Sequence, residues 1–131
     1  MKPIRTILAD GNEIFRHGLR SILQEEGFDI CSETDNGALI LTTYESVNPD
    51  LCVISYDMPE ISGIQLANKI TDLNKEVKVL VLTSSTDEKI LADFLDSGAT
   101  GLLHKSAHRI ELVDAAKKVA NGEPFMGKQF S

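Results

Sequence analysis

Cysteine is scarce in this sequence, and acidic side chains outnumber basic ones. Cys31 and Cys52 each lie in an apolar stretch without CxxC or histidine-bearing ligand spacing, which predicts buried, reduced thiols and no disulfide or zinc site. The 13 Lys and Arg residues face 20 Asp and Glu residues, giving a formal charge of −7. Because nucleic-acid binding depends on cations that neutralise phosphates, this segment alone is not expected to bind DNA.

Long hydrophobic runs are also missing. The N-terminal residues 1–5 lead straight into a short apolar strand without the apolar region of a signal peptide, and no run of about 18 apolar residues occurs. We therefore expect a cytoplasmic protein that makes no membrane contact. A chain of 131 residues that is 42% hydrophobic can bury one core without metal or disulfide support, so a single domain is expected.

Short apolar runs rich in Val, Ile and Leu alternate with segments of helical period. This pattern is typical of a parallel sheet with crossover helices, and the nearly continuous apolar character of the third and fourth runs indicates strands covered on both faces. We predict an α/β fold with a doubly wound, five-stranded parallel sheet and helices on both faces. The predicted strands are Ile4 to Ala9, Phe28 to Cys31, Leu51 to Tyr56, Val77 to Leu82 and Thr100 to His104.

The segments between the strands begin and end with residues typical of helix termini. The predicted helices are a first one carrying Phe15, Leu19, Ile22 and Leu23, then Gly37 to Ser46, Ile64 to Leu73, Glu88 to Asp96 and Ala107 to Asn121. Three glycines are predicted to close helices in the left-handed conformation: Gly27, Gly98 and Gly122. Two pairs have capping-box spacing: Ser62 with Gln65 and Ser85 with Glu88. Residues 1–122 are expected to form the domain, and residues 123–131 a tail or the start of a linker.

Four polar residues coincide with the carboxyl ends of predicted strands. Asp10 follows the first strand, Ser55 lies at the end of the third, and Thr83 and Lys105 end the fourth and fifth. In an open doubly wound sheet these ends meet in one crevice, where ligands bind. A carboxylate, two hydroxyls and an ammonium could hold a small anion there. They could equally be ordinary strand caps and an ion pair that contributes little beyond ~1 kcal/mol.

Several short motifs together resemble a known family. They are Ile7-Leu8-Ala9-Asp10, Arg16 with Gly18-Leu19, Pro49-Asp50-Leu51, Met58-Pro59, Gly63, Val79 to Thr83, Gly98-Ala99 and Gly101 to Lys105. The chain resembles response-regulator receiver domains of the NarL/FixJ-like branch along almost its whole length. The resemblance implies a flavodoxin-like fold with strand order 2-1-3-4-5. It also implies two-component signal transduction, in the N-terminal part of a transcriptional regulator whose DNA-binding output domain is not in this chain.

The sequence departs from the family pattern where phosphorylation would occur. The family has two adjacent acids after the first strand, the second a direct Mg²⁺ ligand, but Gly11 follows Asp10 here. Ser55 stands in the place of the phosphorylated aspartate. Because Mg²⁺ usually binds one or two carboxylates, we expect weak or absent Mg²⁺ binding, with Asp10 and Asp57 as weak candidate ligands, and no other cofactor.

The readout of phosphorylation is altered as well. Thr83 and Lys105 match the family, but Leu102 takes the place of the switch aromatic three residues before the lysine. A serine hydroxyl stays protonated near neutral pH, and no histidine is placed to activate Ser55. We therefore predict a degenerate, non-enzymatic pseudo-receiver. It would act on protein partners, such as a sensor kinase or a second copy, and the resemblance implies that residues 88–121 form the contact surface. Mixed charge there is equally typical of any solvated surface.

Two alternatives stay open. One is a phosphorylatable receiver that uses Asp57 or Ser55 as the acceptor in an ordinary phosphorelay. The other is flavin binding by an analogous fold, which is disfavoured because the segment at residues 10–13, Asp-Gly-Asn-Glu, is acidic and lacks a hydroxyl-rich phosphate loop.

Overall fold

Strands and helices alternate along the chain in a computed structural model that describes residues 2–130. The strands are β1 (Arg5–Ala9), β2 (Asp29–Thr34), β3 (Leu51–Ser55), β4 (Lys78–Thr83), β5 (Gly101–His104) and β6 (Phe125–Met126). The helices are α1 (Glu13–Glu25), α2 (Ala38–Val47), α3 (Gly63–Leu73), α4 (Glu88–Leu95) and α5 (Arg109–Ala120), followed by a 3₁₀ helix at Lys128–Phe130. All neighbouring strands pair in parallel, in the order β2-β1-β3-β4-β5-β6.

The sheet separates two apolar clusters, as the continuous hydrophobicity of its central strands predicts. In β3, Cys52 and Ile54 belong to one cluster, with side chains from α2, α3 and α4. Leu51 and Val53 belong to the other, with side chains from α1 and α5. Successive strand residues point to opposite faces, so a strand covered on both sides needs apolar residues throughout. The predicted doubly wound parallel arrangement is confirmed.

The predicted count of five strands is wrong, because the C-terminal segment adds a sixth. Phe125 N donates to Thr100 O at 3.1 Å, and Gly127 N donates to Leu102 O at 2.9 Å. The ring of Phe130 is buried in the cluster on the α2–α4 side. A strand of two residues is too short to give an alternating pattern, so the sequence offered no periodic signal for it.

Strand β2 and its cysteine also differ from expectation. The strand continues to Thr34, three residues past its predicted end at Cys31, with polar residues that suit an edge strand. Cys31 is half-buried, not buried as predicted. Cys52 is fully buried in β3, and burial raises the pKa of its thiol to about 12. Both cysteines are free thiols.

Helix termini follow the sequence signals in part. Gly27 and Gly122 have φ of +90° and +85°, as expected of closing residues. Gly98 does not have a positive φ. A Cβ at this glycine would lie 2.1 Å from Thr71 Oγ1, so close packing against α3 explains it. None of the helices within residues 2–130 is long and apolar enough to cross a membrane.

One of the two predicted capping boxes forms. Gln65 N donates to Ser62 Oγ and Ser62 N donates to Gln65 Oε1, both at 3.1 Å, at the start of α3. The predicted pair of Ser85 and Glu88 is wrong, because Asp87 caps α4 and accepts from Lys89 N at 2.9 Å. The Ser85 hydroxyl instead accepts from Asp87 N in the preceding loop.

Candidate functional site

The four polar residues predicted to share one crevice lie at the carboxyl ends of β1, β3, β4 and β5. Asp10, Ser55 and Thr83 are all nearly inaccessible to solvent. The strand register holds the ends level, since Ser55 pairs with Leu82 in the ladder and Lys105 N donates to Thr83 O at 2.8 Å. Parallel strands present their carboxyl ends at the same edge, which is why the sequence predicted this grouping.

Asp10 and Lys105 form an ion pair across this edge. Lys105 Nζ donates to Asp10 Oδ2 at 2.6 Å, and the two side chains are only 17% and 4% exposed. The second carboxylate oxygen accepts from Asn12 N at 2.8 Å. Lys105 Nζ also lies 4.7 Å from the centre of the Phe15 ring. The pair is thus largely desolvated, hydrogen-bonded at both acid oxygens and flanked by an aromatic face, so it is held in one geometry.

Ser55 is buried without a hydrogen bond to its side chain. Its Oγ has no hydrogen-bond partner among residues 2–130. The start of α3 packs tightly against its backbone, and a Cβ on Gly63 would lie 2.4 Å from Ser55 O. A buried hydroxyl without a partner costs about 1–3 kcal/mol. Within the described residues, the Ser55 hydroxyl therefore contributes no hydrogen bond that would stabilise the fold.

Thr83 uses its hydroxyl within its own loop. Ser85 N donates to Thr83 Oγ1 at 3.1 Å. The sequence predicts that Thr83 shares the crevice with Asp10 and Lys105. The ion pair is present, but the Thr83 hydroxyl is bonded to Ser85. A Ser/Thr hydroxyl readily bonds backbone two residues ahead, and this local bond takes precedence here.

The remaining positions singled out by the sequence lie around this edge. Gly11 is exposed, and a Cβ built on it would meet nothing within 4 Å, so a side chain could be accommodated there. Asp57 is exposed on the turn after β3, whereas Ser55 is buried. Leu102 is completely buried in the α2–α4 cluster, in contact with the core and away from the solvent.

His104 lies at this edge and was not among the candidate site residues predicted from the sequence. Its Nε2 lies 3.0 Å from Ser84 O, and its Nδ1 accepts from Ser106 N at 3.0 Å and lies 2.7 Å from Ser106 Oγ. Because a carbonyl can only accept, Nε2 must carry the proton. The imidazole thus fastens the loop after β4 to the loop after β5. Its place at a strand end beside Lys105 was the signal available in the sequence.

Arg16 fixes the loop that carries Asp10. Its Nη1 donates to Asp10 O at 2.7 Å, and its Nε donates to Glu33 Oε1 at 2.9 Å. Arg20 bonds the other oxygen of Glu33. Burial acts to raise the pKa of Glu33, but the hydrogen bonds from the two guanidinium groups outweigh it and hold the pKa below its usual value. Helix α1, β1 and β2 are thereby tied together next to the crevice.

The crevice lies where a receiver carries its phosphorylation site, but its side chains differ from those that phosphorylation needs. Within residues 2–130, no three His, Cys, Asp or Glu side chains group closely enough to hold a metal ion. Residues 6–117, which include this crevice, match the response regulator receiver domain family. The chain is a response regulator receiver domain.

Curated relatives assign it to the NarL/LuxR type. The transcriptional regulatory protein DegU of Brevibacillus brevis is 30% identical over 124 residues, which cover 94% of this chain and 52% of DegU. The transcriptional regulatory protein LnrK of Bacillus subtilis is 32% identical over 120 residues, covering 91% of this chain and 54% of LnrK. The receiver therefore spans about half the length of the curated relatives it matches.

Solved structures agree with the fold. The signal receiver domain of NarL from Mycobacterium tuberculosis superposes with a TM-score of 0.87 at 27% identity, covering 94% of this chain and all of that domain. The predicted receiver family and the flavodoxin-like parallel sheet are confirmed. The strand order includes the sixth strand described above.

Proposed function

We propose that this receiver regulates without aspartyl phosphorylation, by contacts with protein partners or by dimerisation. In this proposal residues 1–122 are the receiver body, and residues 123–131, of which Phe125–Met126 add a sixth strand to its sheet, begin a linker to the DNA-binding part of a cytoplasmic transcriptional regulator. The relatives are named transcriptional regulators, which supports that assignment. The observation that carries the proposal is Ser55, a neutral and buried hydroxyl at the strand end where the family has its acceptor carboxylate.

The acceptor chemistry argues against phosphoryl transfer to Ser55. Transfer from a phosphohistidine uses an anionic nucleophile and a metal that neutralises the transferring oxygens. A serine hydroxyl needs a base, and His104 is committed to Ser84 and Ser106. With 1% of its surface exposed, Ser55 is also poorly accessible to a donor. A non-phosphorylated mode of action follows.

The oxygen ligands at the crevice do not fit Mg²⁺. Asp10 accepts from Lys105 and from Asn12 N, so both of its oxygens are engaged. Gly11 offers no side-chain ligand, and the Ser55 hydroxyl is a weaker ligand than a carboxylate. Mg²⁺ prefers octahedral oxygen coordination with one or two carboxylates. An ion bound at Asp10 Oδ2 would compete with a lysine ammonium held at 2.6 Å.

A phosphorylatable receiver is the second candidate, and the exposure of Asp57 favours it. An exposed carboxylate can be reached by a phosphodonor. However, within residues 2–130 Lys105 bonds Asp10 and Thr83 bonds Ser85, and neither side chain is bonded to Asp57. Asp57 would thus react without the ammonium and hydroxyl that normally bind the transferred group.

Incubation with acetyl phosphate and Mg²⁺, followed by intact-mass measurement, separates the two candidates. We expect no added phosphate on the wild-type chain. A phosphate that hydroxylamine removes, and that disappears in Asp57→Asn, would identify Asp57 as an acyl-phosphate acceptor. A hydroxylamine-resistant phosphate that disappears in Ser55→Ala would identify the serine. Either result would contradict the proposal.

A further inference from the structure

The end of the chain docks onto the edge of the sheet. We call residues 123–130 the C-terminal strap. The chain turns at Gly122, whose φ is +85°, and the strap then runs parallel to β5. Phe125 N and Gly127 N donate to the carbonyls of Thr100 and Leu102. The strap therefore supplies hydrogen bonds that would otherwise be missing along an edge strand.

Side chains anchor the strap at its far end. Phe130 is 8% exposed and belongs to the same apolar cluster as Leu102. Gly127 is buried, and a Cβ on it would lie 3.2 Å from Leu103 Cδ1, so the strap backbone is pressed against β5. A short paired segment and one aromatic anchor form a complete recognition unit of the kind used in strand addition, where backbone bonds give affinity and a side-chain pocket gives specificity.

The strap also changes the interaction surface predicted from the sequence. Residues 88–121 include β5, whose outer edge is occupied by the strap. A partner can pair with that edge only if the strap leaves it. The occupant whose shape and hydrogen-bonding pattern fit the vacated edge is a segment of the strap's own sequence, which a second copy of this chain provides.

We propose that the β5 edge and the part of the apolar cluster covered by Phe130 form a peptide-binding site that the chain's own strap closes, and that a second copy occupies it by inserting its strap. Exchange of an identical element is a low-cost route to a dimer, because the exchanged contacts are those already made within one copy. Gly122 is the turn at which the strap would swing out. The inference rests on the dimerisation in the proposed function and not on the absence of phosphorylation.

A peptide with the sequence of residues 122–131 tests the site. It is labelled and titrated against the full wild-type chain and against full-length Phe130→Ala, whose own strap is weakened. Phe130→Ala should bind the peptide at least about tenfold more tightly, because the attached wild-type strap competes at an effective concentration in the millimolar range. Unlabelled wild-type chain should displace the peptide, as expected of a second copy that donates its strap.

Controls make every outcome decisive. A peptide with alanine at the Phe130 position should bind weakly, and the exposed Gln129→Ala should behave as wild type in the full chain. Hydrogen exchange at Val53 in β3 reports whether Phe130→Ala keeps its fold. If Phe130→Ala unfolds, the Gly127→Pro variant is used instead, because it removes the hydrogen bond from Gly127 N to Leu102 O and so also weakens the strap. Equal affinity for wild type and a folded variant, no binding to either, or no displacement by wild-type chain would overturn the proposal.

Discussion

Removing the hydroxyl of Ser55 should leave the protein as stable as before or more so. The Ser55 side chain is buried, and its Oγ has no partner within residues 2–130. Leaving such a group unsatisfied costs about 1–3 kcal/mol. Ser55→Ala removes that cost and gives up only the packing of one oxygen. We expect a gain of about 1 kcal/mol in the free energy of unfolding, or roughly 3–5 °C in Tm.

Thr83→Val is the matched control. It also removes a buried hydroxyl at a strand end, but this hydroxyl accepts from Ser85 N at 3.1 Å. Losing the bond should cost about 1 kcal/mol, so the two substitutions should change stability in opposite directions.

Urea unfolding at equilibrium measures both changes, provided that the denaturant slope is unchanged between variants. A loss of ~1 kcal/mol or more in Ser55→Ala would refute the reasoning. It would mean that the Ser55 hydroxyl has a bonding partner in solution.

Three further predictions concern the surroundings of the crevice. Lys105→Met should lower the free energy of unfolding, measured in urea, by about 3–5 kcal/mol because it leaves the buried Asp10 charge unpaired. Adding Asp10→Asn should recover most of that loss. A Lys105→Met variant as stable as wild type would contradict a stabilising ion pair. Glu33 has a lowered pKa, so its contribution to stability is complete above its unfolded pKa and disappears as pH falls through the lower folded value. Between pH 6 and acid pH, the free energy of unfolding of Glu33→Gln should therefore fall less steeply than that of wild type. The same pH dependence in both proteins would exclude this contribution of Glu33. His104→Ala should speed amide exchange of Ser106, which donates to the ring, by roughly tenfold, whereas unchanged exchange would mean that the imidazole does not fasten the two loops.

The sheet was predictable where burial leaves a strong pattern. β3 and β4 are apolar on both faces, and together with the alternation of strands and helices this indicated a parallel, doubly wound core. β6 escaped prediction because two residues carry no period, and its position depends on a tertiary contact, the burial of Phe130. The end of β2 escaped because an edge strand tolerates polar residues such as Glu33.

The site was predictable in its location but not in its bonding. Strand ends in a parallel sheet fix where Asp10 and Lys105 lie, so the ion pair followed from topology. The sequence could not show that Thr83 bonds Ser85, nor that His104 joins two loops, because both depend on loop backbone geometry. The empty space beside Gly11 was likewise visible only in three dimensions.

The central claim is that the crevice lacks the groups needed for acyl-phosphate chemistry, and restoring them tests it most directly. Gly11→Asp is sterically open, and Ser55→Asp returns a carboxylate to the strand end. Wild type and the double variant are treated side by side with acetyl phosphate and Mg²⁺, and their intact masses are compared. The account predicts a hydroxylamine-sensitive phosphate on the double variant and none on wild type. The same phosphate on the wild-type chain would contradict it.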